Sequence, residues 1–120
     1  MEGKYMAEPS PGGNGSQLGP PVSKAPNKVY LFVAIDIKPG RREEFLEKIK
    51  VHGAHIRSEE GCESLEIFIN SQNENQVCVW EVWRNRALWD AHMANEASAA
   101  WQKIAVKYVN GEQITVLDSI

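Results

Sequence analysis

The chain has 120 residues, carries a formal net charge of −3 at pH 7, and is 42% hydrophobic and 24% charged. Its length allows one domain. Its lysines and arginines are scattered rather than gathered in a stripe, which argues against nucleic acid as a partner. No apolar run approaches the roughly 20 residues of a transmembrane helix, so we expect no membrane partner either.

The first 27 residues differ in composition from the rest. Five of the six prolines and five of the nine glycines lie between Gly3 and Pro26. A segment with so few large apolar side chains cannot offset the entropy that ordering removes. It also lacks the apolar run of a secretory signal and the Arg-rich pattern of a transit peptide. We therefore predict a disordered Gly/Pro-rich tail over residues 1–27 and a folded domain over residues 28–120.

The domain begins with an apolar strand and an amphipathic helix. The strand is predicted over Val29–Ile37 and ends at the Lys38-Pro39-Gly40 turn. The helix is predicted over Glu43–Arg57, with acidic residues in its first turn, where the helix dipole favours them. Spacings of four, three and four residues place one stripe of side chains on its inner face. The stripe consists of Phe45, Ile49, His52 and Ile56.

Two strands joined by a polar loop come next. They are predicted over Cys62–Asn70 and Gln76–Arg84, and the short loop between them indicates a hairpin. In the simplest register Ile67 faces Val79. A hairpin of this length fixes which side chains share a face of the sheet, because side chains alternate along a strand.

The two cysteines of the chain, Cys62 and Cys78, both fall in this hairpin. Their offsets do not make them cross-strand neighbours. We therefore expect two reduced, buried thiols, which fits a cytoplasmic location.

Two helices and a strand complete the domain. A short helix is predicted over Ala87–Met93 and a longer one over Glu96–Tyr108, which Asn110-Gly111 is predicted to end. The last strand is predicted over Gln113–Asp118. The inward face of the longer helix is predicted to carry Ala97, Ala100, Trp101, Ile104 and Tyr108.

The order of these elements predicts an α+β fold of the ferredoxin-like β-α-β-β-α-β type, an antiparallel sheet with helices on one face. Strands Val29–Ile37 and Gln76–Arg84 are apolar on both faces, whereas a sheet with one solvated face alternates apolar and polar side chains. The second face therefore needs a cover that the chain does not supply. We expect a homodimer in which two copies pack sheet against sheet.

The third strand and the helix after it hold the candidate catalytic residues. His92 is a candidate general base, because imidazole titrates near neutrality and can take a phenolic proton. The alternative is a structural histidine bonded to a backbone carbonyl. Trp83 can stack on an aromatic ligand and donate one N–H to it, or pack in the core. Glu81 shares the face of Trp83 and could act as an acid or base if buried, or form an ion pair with an arginine of a second subunit.

Further aromatic residues near this segment could line a pocket for a small aromatic substrate. We expect contributions from Trp80, Trp89, Phe32 and Trp101, although tryptophans on helices of small domains mostly pack in the core. A metal site is not expected. His52 and His55 lie three apart on one helix, but no carboxylate or thiol stands at a matching offset to complete a site.

With these residues in place, the chain resembles the antibiotic biosynthesis monooxygenase family, within the dimeric α/β-barrel superfamily. The resemblance covers nearly all of Val29–Ile120 and rests on four short motifs in order. They are Lys38-Pro39-Gly40, Glu59-Glu60-Gly61-Cys62, Glu81-Val82-Trp83 and Ala91-His92. It implies a homodimeric barrel and the oxidation of a quinol-like or polycyclic phenol by dioxygen, with no flavin or metal cofactor. His92 would then be the base, Trp83 would orient the substrate, and Glu81 would be a second acid or base.

Two departures from the family pattern bear on function. Members often carry a second histidine five residues after the position of His92, followed by an aromatic residue, where this chain has Ala97 and Ser98. The haem-degrading branch uses a first-strand asparagine that is missing here, and Gln102 stands at its expected histidine position. Two alternatives to a monooxygenase stay open: an isomerase or tautomerase of a small carbonyl compound, and a dimeric barrel that binds a small ligand without catalysis.

Overall fold

The computed structural model describes residues 27–120. The predicted tail, residues 1–27, lies outside this part of the chain except for Asn27. The described residues form four strands and three helices in the order β-α-β-β-α-α-β. The strands are β1 (Val29–Ile37), β2 (Cys62–Ile69), β3 (Gln76–Trp83) and β4 (Val109–Leu117). The helices are α1 (Arg42–Arg57), α2 (Arg86–Ala94) and α3 (Glu96–Ala105).

The sheet is antiparallel throughout, in the order β2-β3-β1-β4, and confirms the predicted ferredoxin-like α+β fold. The hairpin register is also confirmed, with Ile67 opposite Val79 and Glu66 opposite Trp80. The two central strands, β1 and β3, bring the apolar residues of both halves of the chain together. A core therefore forms on the face that the helices cover.

Burial alternates along β1 and distinguishes the two faces of the sheet. Val29, Leu31, Val33, Ile35 and Ile37 are at most 8% exposed and pack under the helices. The side chains between them lie on the other face, which no element among residues 27–120 covers. Phe32 on this open face is 40% exposed.

The C-terminal third of the domain differs from the prediction. The last helix ends at Ala105 rather than Tyr108, and β4 begins at Val109 rather than Gln113. The pairing of β4 with β1 shifts by one residue here: Gly111 pairs with Asp36 and Val109 pairs with Ile37, so Asn110 is an extra residue on β4 and the strand starts early. The Asn110-Gly111 pair, expected to end a helix, therefore lies inside a strand.

The inward face of α3 is also rotated relative to the prediction. Ser98 and Ala105 are buried and Trp101 is half-buried, whereas Ala100 and Ile104 are exposed. The observed inward residues are three and four positions apart, as a helix requires. This rotation turns the expected core residues Ala100 and Ile104 towards a groove on the outside.

The two cysteines differ in burial. Both Cys62 and Cys78 are free, and burial is the main reason that the pKa of each thiol is raised. Cys78 is buried as predicted, whereas Cys62 is half-buried. Within residues 27–120, no helix combines the length and apolar character needed to cross a membrane.

Candidate active site

A small cavity of about 80 Å³ lies between the helix-covered face of the sheet and the three helices. Its walls are mostly aliphatic side chains of β1, β2, β3 and α1. A few polar side chains border it, namely Glu81, His92, Ser98 and Glu112. An apolar pocket with a small number of convergent polar groups is the usual form of a small-molecule site.

His92 reaches the cavity from α2, the helix that follows β3. The Asn85 side chain accepts a hydrogen bond from the Leu88 N–H at 2.9 Å, which caps the start of this helix close to the end of the strand. The His92 ring is 7–8% exposed and stacks on Trp83, with ring centroids 4.7 Å apart and planes inclined by 26°. The imidazole is therefore held between a buried indole and the cavity.

The partner of this histidine is a carboxylate rather than a backbone carbonyl. Glu59 Oε1 lies 2.8 Å from His92 Nδ1, and both side chains are largely buried. A carboxylate only accepts hydrogen bonds, so Nδ1 carries the proton and Nε2 carries the free lone pair. Nε2 makes no hydrogen bond to any residue that the structure describes. This arrangement leaves a proton acceptor at the cavity.

The second oxygen of Glu59 has a different environment. Oε2 is buried and lies 3.4 Å from His55 Nε2, but the geometry is not that of a hydrogen bond, and no other donor within residues 27–120 reaches it. A buried carboxylate oxygen without a donor is unfavourable. Glu59 is therefore held in place mainly through Oε1 and His92, and the pair behaves as one unit.

Glu81 places a second titratable group on the cavity. Its Oε1 accepts a hydrogen bond of 2.8 Å from the Trp83 indole N–H. Burial raises the pKa of Glu81, while the hydrogen bond from Trp83 and the nearby His92 oppose the rise. The side chain borders the cavity on the helix-covered face, away from the open face where a second subunit would supply an arginine. The raised pKa favours a neutral carboxyl that can donate a proton.

Trp83 lies in a different place from the one predicted. It is fully buried and lies behind the cavity rather than in its lining. Its N–H is already donated to Glu81. The indole ties together the two titratable groups, through its stack on His92 and its hydrogen bond to Glu81.

The four aromatic residues expected to bind substrate divide into two pairs. Trp89 and Trp101 border the cavity. Trp80 and Phe32 face each other across β3 and β1 on the open face of the sheet. The expectation that these two line the pocket is corrected, because side chains alternate along a strand and both residues have the parity of the open face.

The other two histidines, His52 and His55, lie on α1. No three His, Cys, Asp or Glu side chains in the described part of the chain are grouped so that they could hold a metal ion. His52 stacks on Trp101, with centroids 4.4 Å apart and planes inclined by 6°. Its pKa is lowered to about 4, chiefly by burial and then by the neighbouring His92 and His55. His52 is therefore neutral at physiological pH.

Comparison with known proteins identifies the family. The sequence model of the family described as antibiotic biosynthesis monooxygenase matches residues 28–104, well over half of the chain. The chain belongs to this family. Solved structures share its fold. A candidate antibiotic biosynthesis monooxygenase from Nitrosomonas europaea superposes with a TM-score of 0.75 at 13% identity, covering 82% of this chain and 96% of that one. PA3566 from Pseudomonas aeruginosa gives a TM-score of 0.73 at 19% identity, covering 78% and 95%.

Two relatives are more similar in sequence. The uncharacterised protein sll1783 of Synechocystis sp. (strain ATCC 27184 / PCC 6803 / Kazusa) is 33% identical over 75 residues, covering 62% of this chain and 51% of that protein. The candidate monooxygenase YcnE of Bacillus subtilis (strain 168) is 33% identical over 64 residues, covering 53% and 67%. The chain therefore spans about half the length of the first of these relatives.

Glu59 is the site residue that sequence reasoning missed. It stands in the turn between α1 and β2, 33 residues before His92. The Glu59-Glu60-Gly61-Cys62 motif indicates the fold of the antibiotic biosynthesis monooxygenase family. No residue near the motif indicates that Glu59 is the hydrogen-bond partner of His92. Gly61 explains the close approach, since its φ of +91° turns the chain and a Cβ there would lie 2.6 Å from Leu88 on α2.

The departure at Ala97 and Ser98 also has a structural outcome. Ser98 is buried and donates a hydrogen bond of 2.6 Å from its hydroxyl to the His92 carbonyl oxygen. Its backbone N–H is bound by the Asn95 side chain at 2.8 Å. Ser98 stands where family members often have an aromatic residue. Here it anchors α3 to α2, the helix that carries the candidate base.

Proposed function

We propose that the protein is a cofactor-independent monooxygenase that oxidises a quinol-like or polycyclic phenol with dioxygen. The observation that carries the proposal is the buried Glu59–His92 pair, because His92 borders an apolar cavity that Glu81 also borders. Family membership supports the reaction type. The residues supply a base, a proton donor and a site with little room for water.

The first step in this proposal is removal of a phenolic proton. His92 Nε2 accepts the proton, and the positive imidazolium that results is stabilised by the Glu59 carboxylate at Nδ1. General bases of this kind typically contribute about 10²–10⁴-fold to a rate. An electron-rich phenolate forms beside a cavity wall of aliphatic groups, where few competing protons are available.

The second step is oxidation by dioxygen. The anion transfers one electron to oxygen, the two radicals combine, and a carbon–oxygen bond forms to give a peroxide anion. Protonation of the peroxide and loss of water then convert the attacked ring carbon, which carried one hydrogen, to C=O, so the phenol becomes a quinone. The substrate supplies all four electrons, one oxygen atom enters the product, and the other leaves as water, so no external reductant is needed.

Glu81 is suited to the protonation of the peroxide. The raised pKa of Glu81 favours its neutral form, which donates a proton where the ionised form cannot. The imidazolium of His92 is the alternative donor, and it becomes a neutral base again when it gives up its proton. Trp83 would act as a positioning residue, because it contacts both groups and does not border the cavity.

The same two groups support a second candidate function. A base and a neutral acid beside one cavity are what the isomerisation or tautomerisation of a small carbonyl compound requires. That reaction moves a proton between two carbon or oxygen atoms and consumes no oxygen. Turnover under strict anaerobiosis therefore separates it from oxygenation.

The test of the proposed function is oxygen uptake with a panel of hydroquinones and anthrones. Wild-type protein is compared with His92→Ala and with His92→Gln, which retains a side-chain amide near Glu59. We expect uptake matched by product formation, and a loss of about a hundredfold or more in both variants. Uptake equal in wild type and variants contradicts the role of His92. Ligand binding without any turnover would indicate a binding protein.

We further propose that two copies associate through the open face of the sheet. This face carries exposed apolar side chains from three strands, with Phe32 40%, Phe68 48% and Leu117 41% exposed. Apolar patches of this kind mark interaction sites. Phe68→Lys should yield monomers in sedimentation, whereas Val51→Lys on α1 should not. A dimer of unchanged stability in Phe68→Lys would argue against this surface.

The two free thiols indicate the cell compartment in which such a dimer would exist. Both Cys62 and Cys78 are free, and Cys78 lies in the face proposed to be covered. A reducing compartment keeps such thiols reduced. We therefore propose a cytoplasmic location, which fractionation of cells that express the protein would test.

A further inference from the structure

The cavity is smaller than the proposed substrates. It measures about 80 Å³, whereas a dry protein cavity that holds a single benzene ring measures about 150 Å³. Sites for larger organic ligands typically measure about 300–1,000 Å³. Any phenol that reaches His92 therefore has to displace part of the cavity wall.

A second and larger space lies directly outside one wall. It is an open groove of about 560 Å³ between α1 and α3. Its apolar surface includes Val51 from α1 and Ala100 and Ile104 from α3. Among residues 27–120, only Trp101 borders both the cavity and this groove. The indole of Trp101 is thus the wall between the two spaces.

Ring contacts hold Trp101 in this position. It stacks on His52 at 4.4 Å and packs against Phe45 at 5.8 Å, with planes inclined by 48°. Its indole N–H donates no hydrogen bond to the part of the chain that the structure describes. Because burial keeps His52 neutral at physiological pH, the stack joins two uncharged rings. Within residues 27–120, displacing the indole therefore breaks no ion pair or hydrogen bond.

The other walls are harder to move. The sheet wall includes β1 and β3, the central strands, which are hydrogen-bonded to a neighbour on both sides. The α1 wall is anchored by Phe45, Ile49 and Ile56, which are at most 6% exposed. Moving either wall would break backbone hydrogen bonds or uncover the core. The Trp101 wall is therefore easier for a ligand to displace than the wall of β1 and β3 or the α1 wall.

We propose that Trp101 is a movable wall and that ligand binding joins the cavity and the groove into one site for a flat, fused-ring phenol. This inference rests on the proposed function and names the substrate class of the same site. The acidic ring would lie beside His92 and Glu81, and the distal rings would lie on Val51 and Ile104. A fused-ring ligand can also replace the indole as the stacking partner of His52, so the lost contact is recovered.

The test measures binding without oxygen, so it does not depend on turnover. Full-length protein is titrated by calorimetry with 1,4-dihydroxybenzene, a one-ring probe, and with 1,8-dihydroxyanthraquinone, a three-ring probe. Ile104→Glu places a charge in the groove. Val106→Glu is the matched control, because Val106 is 47% exposed just beyond α3 and does not line the groove. Stopped-flow absorbance of the three-ring probe measures its association rate in Trp101→Ala and in wild type.

We expect Ile104→Glu to weaken the three-ring probe by about tenfold or more, since a carboxylate covered by an apolar ring loses hydration. The affinity of the one-ring probe should be unchanged, and Val106→Glu should affect neither probe. Trp101→Ala should speed the association of the three-ring probe. If Trp101→Ala does not fold, the comparison of Ile104→Glu with Val106→Glu still shows whether the three-ring probe occupies the groove.

Two results would overturn the inference: no binding of the three-ring probe, or equal effects of the Ile104 and Val106 substitutions. The proposed function fails separately. Three-ring binding as expected with no oxygen uptake would refute the oxygenase and leave the joined site intact. Uptake that depends on His92 but not on Ile104 would refute only the joined site.

Discussion

Replacing Glu59 by glutamine tests whether the carboxylate behind His92 contributes charge as well as orientation. In the folded protein, Glu59 Oε1 lies 2.8 Å from His92 Nδ1, and the two side chains are 13% and 8% exposed. Glutamine can still accept the same hydrogen bond through its carbonyl oxygen. The substitution therefore removes a negative charge and keeps the imidazole in the same orientation.

The expected effect follows from the strength of the hydrogen bond. Bonds to charged groups contribute about 1.5–3 kcal/mol, and neutral ones about 1 kcal/mol, so the difference is about 1–2 kcal/mol. That difference appears when the imidazolium forms, because only then does the carboxylate oppose a full positive charge. It corresponds to a rate that is about five to thirty times lower.

The assay is oxygen uptake at saturating phenol, with wild-type protein, Glu59→Gln and Glu59→Ala compared side by side. Glu60→Gln is the control, because Glu60 is the next residue, is 78% exposed and pairs with Arg84 on the surface at 3.2 Å. Solvent screens such a pair, so its loss should have little effect. Glu59→Ala should be slower than Glu59→Gln, because it removes both the charge and the acceptor.

The reasoning fails if Glu59→Gln turns over at the wild-type rate while His92→Ala is inactive. It also fails if Glu60→Gln loses as much activity as Glu59→Gln, because the effect would then come from the general charge of the segment.

Three further changes test the surroundings of the site. Glu81→Gln should become more stable to heat than the wild type as pH rises above about 4.5. The pKa of Glu81 is raised in the folded protein, so ionisation destabilises the wild-type fold progressively until the pH passes the folded-state pKa. A difference in stability between the two proteins that does not change with pH would contradict this. Trp83→Phe removes the donor to Glu81 and should lower the unfolding free energy by about 1–3 kcal/mol. It should also raise the pKa of Glu81, measured by carbon NMR of the labelled carboxyl, and an unchanged pKa would argue against the hydrogen bond. Gly61→Ala should lower the unfolding free energy by about 2–5 kcal/mol in urea titrations, because its φ is +91° and its Cβ would lie 2.6 Å from Leu88. Gly111→Ala, with no atom within 4 Å of its Cβ and no positive φ, should be close to neutral, and equal losses at the two glycines would refute the steric argument.

The parts of the fold that follow local rules were predictable. The hairpin register came from loop length and alternation, and the opposition of Ile67 and Val79 is confirmed. The start of β4 was not predictable in the same way. Asn110 is an extra residue on β4, opposite the step from Asp36 to Ile37, and it allows Val109 to pair with a distant strand. By local rules the same Asn-Gly pair predicts the end of a helix.

The candidate site was predictable in part. The sequence indicates that His92 and Glu81 come from adjacent elements, and the structure places both at one cavity. It does not reveal the partner of His92, because Glu59 approaches through the packing of a turn against α2. Trp80 lies outside the site for a simpler reason: Trp80 and Trp83 have opposite parity on one strand, so only one of them can face the helices.

The most direct measurement of the central claim is the fate of labelled oxygen. Protein dialysed against a chelator and free of flavin absorbance would turn over an anthrone under ¹⁸O₂, with wild type and His92→Ala compared by mass spectrometry. The account predicts one ¹⁸O atom in each product molecule and one in water, at a rate that falls about a hundredfold or more in the variant. Product without label, or labelled product formed equally fast by His92→Ala, would contradict it.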